Sequence, residues 1–137
     1  MASDKVEFEL VSPERLLLSD QVDMVVVPGA EGDFGVLPRH APLISTLRPG
    51  VIRIFEAREV KERIFVAGGF AEVTPERCTV LAEEAVRVGD IDAAALEQEL
   101  KDLGEDLADA KTDEEKAAIA KRIAVRRAMR DAATPGA

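Results

Sequence analysis

The protein has 137 residues, a formal charge of −9 and a hydrophobic fraction of 47%, proportions that suit one folded domain or a small domain plus an appendage. The acidic balance argues against a general nucleic-acid binder and against direct adhesion to anionic lipid, since both need basic surface. A single cysteine, Cys78, excludes an internal disulfide, and no apolar run approaches the ~18 residues of a membrane span. The opening Met1-Ala2-Ser3-Asp4-Lys5 lacks a basic-then-apolar leader pattern, so a cytosolic or stromal-type compartment is expected, with any membrane association made through partners.

Residues 5–88 read as β structure. Lys5-Val6-Glu7-Phe8-Glu9-Leu10 alternates strictly, which puts one face of a strand in water, and Leu16 and Leu18 repeat the spacing. Val22-Asp23-Met24-Val25-Val26-Val27 reads as a single strand that stops at a Pro28-Gly29 turn. Val51-Ile52-Arg53-Ile54-Phe55 follows Pro49-Gly50, and Ile64-Phe65-Val66-Ala67 ends at Gly68-Gly69. Phe70 to Val73 and Thr79 to Ala82 complete the series, with Cys78 as a small buried apolar residue. Short strands with Gly/Pro punctuation predict a sandwich or flattened barrel, and the lack of βαβ alternation speaks against a parallel sheet.

The period changes at Asp90, a candidate N-cap. Leu96, Leu100, Leu103 and Leu107 form one helical stripe. A second helix is expected from Thr112, where Thr112-Asp113-Glu114-Glu115 has capping-box spacing, with Ile119 and Ile123 on its apolar side and Thr134-Pro135-Gly136 at its end. Two helices with a short connection predict an antiparallel hairpin. Its charges segregate. Asp92, Glu97, Glu99, Asp102, Glu105, Asp106 and Asp109 precede the connection, opposed only by Lys101; Lys116, Lys121, Arg122, Arg126, Arg127 and Arg130 follow it. Mutual attraction of the two helices accounts for this pattern. A basic arm able to leave its acidic neighbour for another acidic surface accounts for it as well.

The stretch Val27-Pro28-Gly29-Ala30-Glu31-Gly32-Asp33-Phe34-Gly35-Val36-Leu37-Pro38-Arg39-His40-Ala41-Pro42-Leu43 holds three glycines and three prolines in seventeen residues. Such a composition predicts a compact, rigid connection rather than a strand interior or a helix, and rigid loops suit docking because little entropy is lost on binding. The stretch resembles the epsilon-subunit family of F-type rotary ATP synthases, called delta in mitochondria. The family pattern has a Pro-Gly-x-Glu-Gly-type turn, a Gly-x-x-Pro step and then His-Ala-Pro-Leu. Leu47-Arg48-Pro49-Gly50-Val51-Ile52-Arg53-Ile54, Phe65-Val66-Ala67-Gly68-Gly69-Phe70-Ala71-Glu72-Val73 and Thr79-Val80-Leu81-Ala82-Glu83 extend the match in order, and Asp90-Ile91-Asp92 opens the hairpin where the family's opens.

The resemblance implies a ten-stranded β-sandwich over residues 1–89 and an antiparallel two-helix hairpin over 90–137. It also implies a rotor subunit that is not an enzyme by itself, coupling proton-driven rotation of the c-subunit ring to ATP synthesis through the gamma subunit. The sandwich would bind the gamma shaft and the c-ring. Glu31, Gly32, Asp33, Phe34 and Gly35 would meet the partly basic ring loops, with Glu31 and Asp33 supplying complementary charge; the bland reading is a solvated turn in which Asp33 makes local hydrogen bonds. Arg39 and His40 would lie on the sandwich face near shaft and ring. Lys121, Arg122, Arg126, Arg127 and Arg130 would form an inhibitory arm against an acidic segment of a catalytic beta subunit when the hairpin extends. Some members bind ATP in the hairpin; here Ile91, Asp92, Arg122 and Arg126 match, but Ala95 replaces an arginine, removing a forked phosphate donor and arguing against useful ATP affinity. No other cofactor or metal is implied. The expected place is the cytoplasmic face of a bacterial inner membrane, peripheral, within the complex.

Two other readings use the same residues. The leucine stripe could close a homodimer of a stand-alone binding module. A small enzyme could use His40 with Asp33 or Glu31, but that needs a nucleophile and a pocket that the sequence does not indicate.

Overall fold

Alternation in β1 (Val6–Val11) sends Val6, Phe8 and Leu10 fully inward, as its period-2 pattern requires. The computed structural model describes residues 4–134, and these fall into two compact units divided between Val88 and Gly89. In the first unit β1 is followed by β2 (Leu16–Val22), β3 (Met24–Gly29), β4 (Gly32–Val36), β5 (Leu43–Leu47), β6 (Gly50–Glu56), β7 (Glu59–Val66), β8 (Gly69–Val73), β9 (Arg77–Ala82) and β10 (Ala85–Arg87). They form one ten-stranded sheet in the order β10-β7-β6-β3-β5-β8-β9-β1-β2, with β4 paired to β3. Phe8 and Leu10 of β1 share a core with Val25 and Val27 of β3 and with Ile52 and Ile54 of β6. Strands far apart in the order can meet in one core only if the sheet curls over itself, which makes the expected β-sandwich. Cys78 lies in that core, as expected. Burial pushes its thiol up to about 12.

Several local expectations are corrected. The run from Val22 to Val27 is two strands, not one. Val22 and Val25 are both fully buried, and an odd spacing of three cannot place both on one face of a continuous strand. The backbone kinks at Asp23, whose N–H donates to Phe55 O at 3.1 Å and whose carboxylate accepts from Ala57 N–H at 2.7 Å. Pro28-Gly29 is not the turn but the end of β3, pairing with Asp33 and Gly32 of β4. Pro28 is tolerated because it sits where β3 passes from β6, paired as far as Val26, to β5, paired only at Gly29; no ladder donor is asked of it on that side. The Gly/Pro-rich stretch is therefore a β-hairpin followed by the 37–42 connection. One pair, β1 with β9, is parallel in an otherwise antiparallel sheet. Leu16 lies beside a register shift between Leu10 and Val11 and is exposed, so the alternation of β1 does not carry over to it.

A short 3-10 turn (Val88–Asp90) spans the boundary, and the second unit holds α1 (Ala93–Asp109) and α2 (Asp113–Ala133). The N-cap of α1 is Asp92, not Asp90: its Oδ1 accepts from Ala95 N–H at 3.1 Å, while Asp90 lies within the 3-10 turn. Thr112 caps α2 as its spacing predicts, accepting from Glu115 N–H at 3.0 Å. Such a cap contributes about 1 kcal/mol. Leu96 and Leu103 are buried and Leu100 and Leu107 half-buried. On α2 the buried residue is Met129, with Ile119 and Ile123 half-buried. Glu99 pairs with Arg126 at 3.0 Å and Glu97 with Arg130 at 3.5 Å. The residue numbers fall along one helix as they rise along the other, the mark of an antiparallel hairpin. The leucine stripe is thus closed within the molecule, which removes the residues that a homodimer seam would need. Pro135 and Gly136 lie outside the described residues.

Candidate functional site

The β3–β4 hairpin turns through Ala30-Glu31, between paired Gly29 and Gly32. The tightness excludes larger residues: a Cβ on Gly29 would lie 2.7 Å from Gly32 O, and Gly32 sits at φ +141, a region that L side chains rarely adopt. Ala30 N–H donates to Thr46 O at 2.9 Å, which ties the tip to β5. Arg48 reaches across both arms, donating from Nη1 to Gly29 O and from Nη2 to Asp33 Oδ1. Arg53 of β6 places its Nη2 3.5 Å from Asp33 Oδ2. Glu31 is exposed and makes no hydrogen bond or ion pair among the described residues. Gly35 and Gly32 are exposed and Phe34 is half-buried. The two acids therefore differ: Asp33, though exposed, is ion-paired with Arg48 and Arg53, and Glu31 is not.

Arg39 and His40 sit on the 37–42 connection. Arg39 has φ 66, donates its N–H to Pro75 O at 2.8 Å and pairs its exposed guanidinium with Asp4. His40 is half-buried, and its Nδ1 lies 2.6 Å from Ala41 O. A carbonyl only accepts, so Nδ1 carries the proton. With His40 engaged by a carbonyl and Asp33 by two arginines, neither is arranged as the pair a small enzyme would use.

A second surface escaped the sequence reading. Register aligns Leu16 with Val11, Val11 with Leu81, and Leu81 with Phe70 across β2, β1, β9 and β8. All point away from the core. Phe70 is 51% exposed and Leu81 47%. Beside them lies a groove of about 230 Å³ walled by Val11, Pro13, Phe70 and Leu81. A row of apolar side chains in register on a wet sheet face is suited to a partner surface. Its signal was present in the alternation: Phe70 precedes inward Ala71 and Val73, and Leu81 stands between inward Val80 and Ala82, so both are apolar in the outward phase.

Comparison with known proteins decides the family. Residues 5–88 match the family model described as ATP synthase, Delta/Epsilon chain, beta-sandwich domain, and residues 92–137 match the model of the C-terminal domain of the ATP synthase epsilon chain. The chain belongs to the ATP synthase epsilon chain family. An ATP synthase epsilon chain of Rhodospirillum centenum is 56% identical over 134 residues, covering 94% of this chain and 92% of that one. One from Rhodospirillum rubrum is 53% identical over 127 residues, covering 93% and 95%. The fold also matches a chain in the cryo-EM structure of Euglena gracilis mitochondrial ATP synthase, OSCP/F1/c-ring, with TM-score 0.81 at 19% identity over 96% of this chain and 83% of that one. A chain of the Tetrahymena thermophila mitochondrial ATP synthase central stalk/c-ring matches with TM-score 0.71 at 18% identity, over 98% of this chain and all of that one. Among the described residues no helix is long and apolar enough to cross a membrane.

In this epsilon-family protein the hairpin residues sort by what already holds them. Arg126, with a side chain 17% exposed, and Arg130 bond across to Glu99 and Glu97. Lys121, Arg122 and Arg127 are without an ion pair among the described residues. Asp92 is occupied as a helix cap, and Ala95 is exposed. Of the four residues that match the nucleotide pattern, two are therefore held by intrahairpin bonds, while Ile91 and Arg122 are not. Sequence reasoning also missed Arg48 and Arg53, whose role depends on β4, β6 and the connection before β6 meeting at one carboxylate.

Proposed function

We propose that this protein is a non-catalytic rotor subunit in the central stalk of an F-type ATP synthase. Its sandwich docks on a gamma shaft and on the polar loops of a c-subunit ring, so that proton-driven rotation is passed to the catalytic head. The observation that carries this reading is the aligned row Leu16, Val11, Leu81 and Phe70, apolar surface held in water on a rigid sheet. Covering it removes apolar area from water, the usual drive for a lasting contact. The second docking point is the tight β3–β4 turn with outward Glu31, together with Arg39 and His40 on the neighbouring connection. No nucleic acid is among the partners, and the membrane is reached only through the complex, on the cytoplasmic face of a bacterial inner membrane.

The hairpin is read as a regulatory arm. Lys121, Arg122 and Arg127 offer cations to an acidic segment of a catalytic beta subunit, and Arg126 and Arg130 can join them by exchanging Glu99 and Glu97 for new carboxylates. Few side chains are buried between the helices, so opening costs only a few kcal/mol. With Ala95 in place of arginine, the hairpin has no useful ATP affinity in this reading; a low-micromolar dissociation constant for ATP would overturn that part. The main test is ATP hydrolysis by a catalytic head depleted of this subunit, titrated with the full-length protein or with residues 1–89. Binding by both, with inhibition by the full-length protein alone, supports an anchoring sandwich and an inhibitory arm. Binding without inhibition removes the arm, and failure of both to bind at micromolar concentration removes the stalk assignment.

A further inference from the structure

We infer that Asp33 is a positioning residue: Arg48 and Arg53 engage its carboxylate at the surface and brace the Ala30-Glu31 turn, leaving Glu31 as the carboxylate that meets a basic polypeptide loop of the partner. The inference rests on reading this turn as ring-facing, and it divides the work between the two acids.

The bracing is built from both arms of the hairpin. Arg48 bonds a backbone carbonyl of β3, at Gly29, and a carboxylate of β4, at Asp33. Its own backbone is anchored to the same hairpin, since Arg48 N–H donates to Pro28 O at 3.0 Å. A guanidinium can serve two acceptors at once through a rigid fork, whereas an ammonium presents a single point charge. Arg53 approaches the other oxygen of the same carboxylate at 3.5 Å. Two cations on one carboxylate occupy Asp33 and leave it little attraction for an approaching lysine or arginine. Exposed Glu31, two residues away, attracts it.

The test combines amide hydrogen exchange on the full-length protein with its rebinding to membranes whose ATP synthase has been stripped of this subunit, at low and high salt. The variants are E31Q, D33N, R48K and E31Q/D33N. R48K keeps the charge and loses the fork. The expected result is roughly tenfold faster exchange across residues 29–35 in D33N and R48K, with E31Q unchanged. E31Q should weaken rebinding about threefold at low salt and less at high salt. D33N and R48K should weaken it by a similar factor, and E31Q should add little once D33N has released the turn. Unchanged exchange in D33N and R48K overturns the brace. Multiplying losses from E31Q and D33N also overturn it, making Asp33 a contact in its own right. Released exchange with wild-type rebinding in every variant keeps the brace but refutes the ring-facing reading on which the partner contact rests.

Discussion

Replacing Phe70 by Thr separates the docking face from the fold. Phe70 is 51% exposed and lies opposite Leu81 on the outward side of β8. A phenylalanine side chain carries roughly 200 Å² of surface, so a partner can cover about 100 Å² of it. At ~25 cal/mol per Å² that burial contributes about 2.5 kcal/mol. Threonine keeps a strong strand preference and restores part of the lost area. The expected loss of affinity is then about 1.5–2 kcal/mol, or roughly ten- to thirtyfold in the dissociation constant. Folding stability should fall by only about 1 kcal/mol, because the inward residues Ala71 and Val73 are untouched. Calorimetric titration of the full-length protein into a depleted catalytic head measures the first quantity, and thermal melting followed by circular dichroism measures the second. An F70T variant that is folded at the assay temperature and binds within twofold of wild type would refute the assignment of this row as the shaft-facing surface.

The hairpin allows a sharper contrast. Neutralising Lys121, Arg122 and Arg127 together should weaken inhibition of hydrolysis, most at low salt, while leaving the helical melt unchanged; undiminished inhibition would exclude the basic face as the inhibitory contact. R126Q should instead lower the helical melting temperature, since Glu99 loses its partner at 3.0 Å, and an unchanged melt would show that this pair contributes nothing measurable. In the sandwich, the hydrogen bond from Lys5 and then that from Ala57 N–H hold the Asp23 carboxyl below its ordinary 3.8. A depressed carboxyl pKa stabilises the fold above the unfolded value and loses that effect as pH falls through the folded one. D23N should therefore melt below wild type at pH 6, and the two should converge as pH falls through the depressed Asp23 value; a gap that persists in acid would assign the difference to packing instead. Lys5 is raised above 10.5, chiefly by its hydrogen bond to Asp23, so its share is present at neutral pH and fades only as pH rises through that higher value. With burial holding its thiol up at about 12, Cys78 should react with iodoacetamide only after unfolding. Labelling of native protein at a free-thiol rate would contradict its place in the core.

Composition and pattern by themselves determined much of this protein. Alternation in Val6–Val11 named the inward residues Val6, Phe8 and Leu10, and the Thr112-to-Glu115 spacing named a cap that the structure forms. These are local matters: a period of two or a cap three residues away is written within one element. Family resemblance through ordered motifs was legible for the same reason, since each motif is contiguous. The division of Val22 to Val27 was less legible, because Asp23 kinks the backbone for partners at Phe55 and Ala57, more than thirty residues away. Only the tertiary structure could show that Pro28 lies in a strand, because its tolerance depends on which neighbours pair on either side. The apolar row from Leu16 to Phe70 likewise arises from register across four strands. So does the difference between Glu31 and Asp33: the turn contains both carboxylates, but the arginines that neutralise one of them arrive from β6 and the connection before it. Local pattern decides which groups are available; long-range pairing decides which of them remain exposed to a partner.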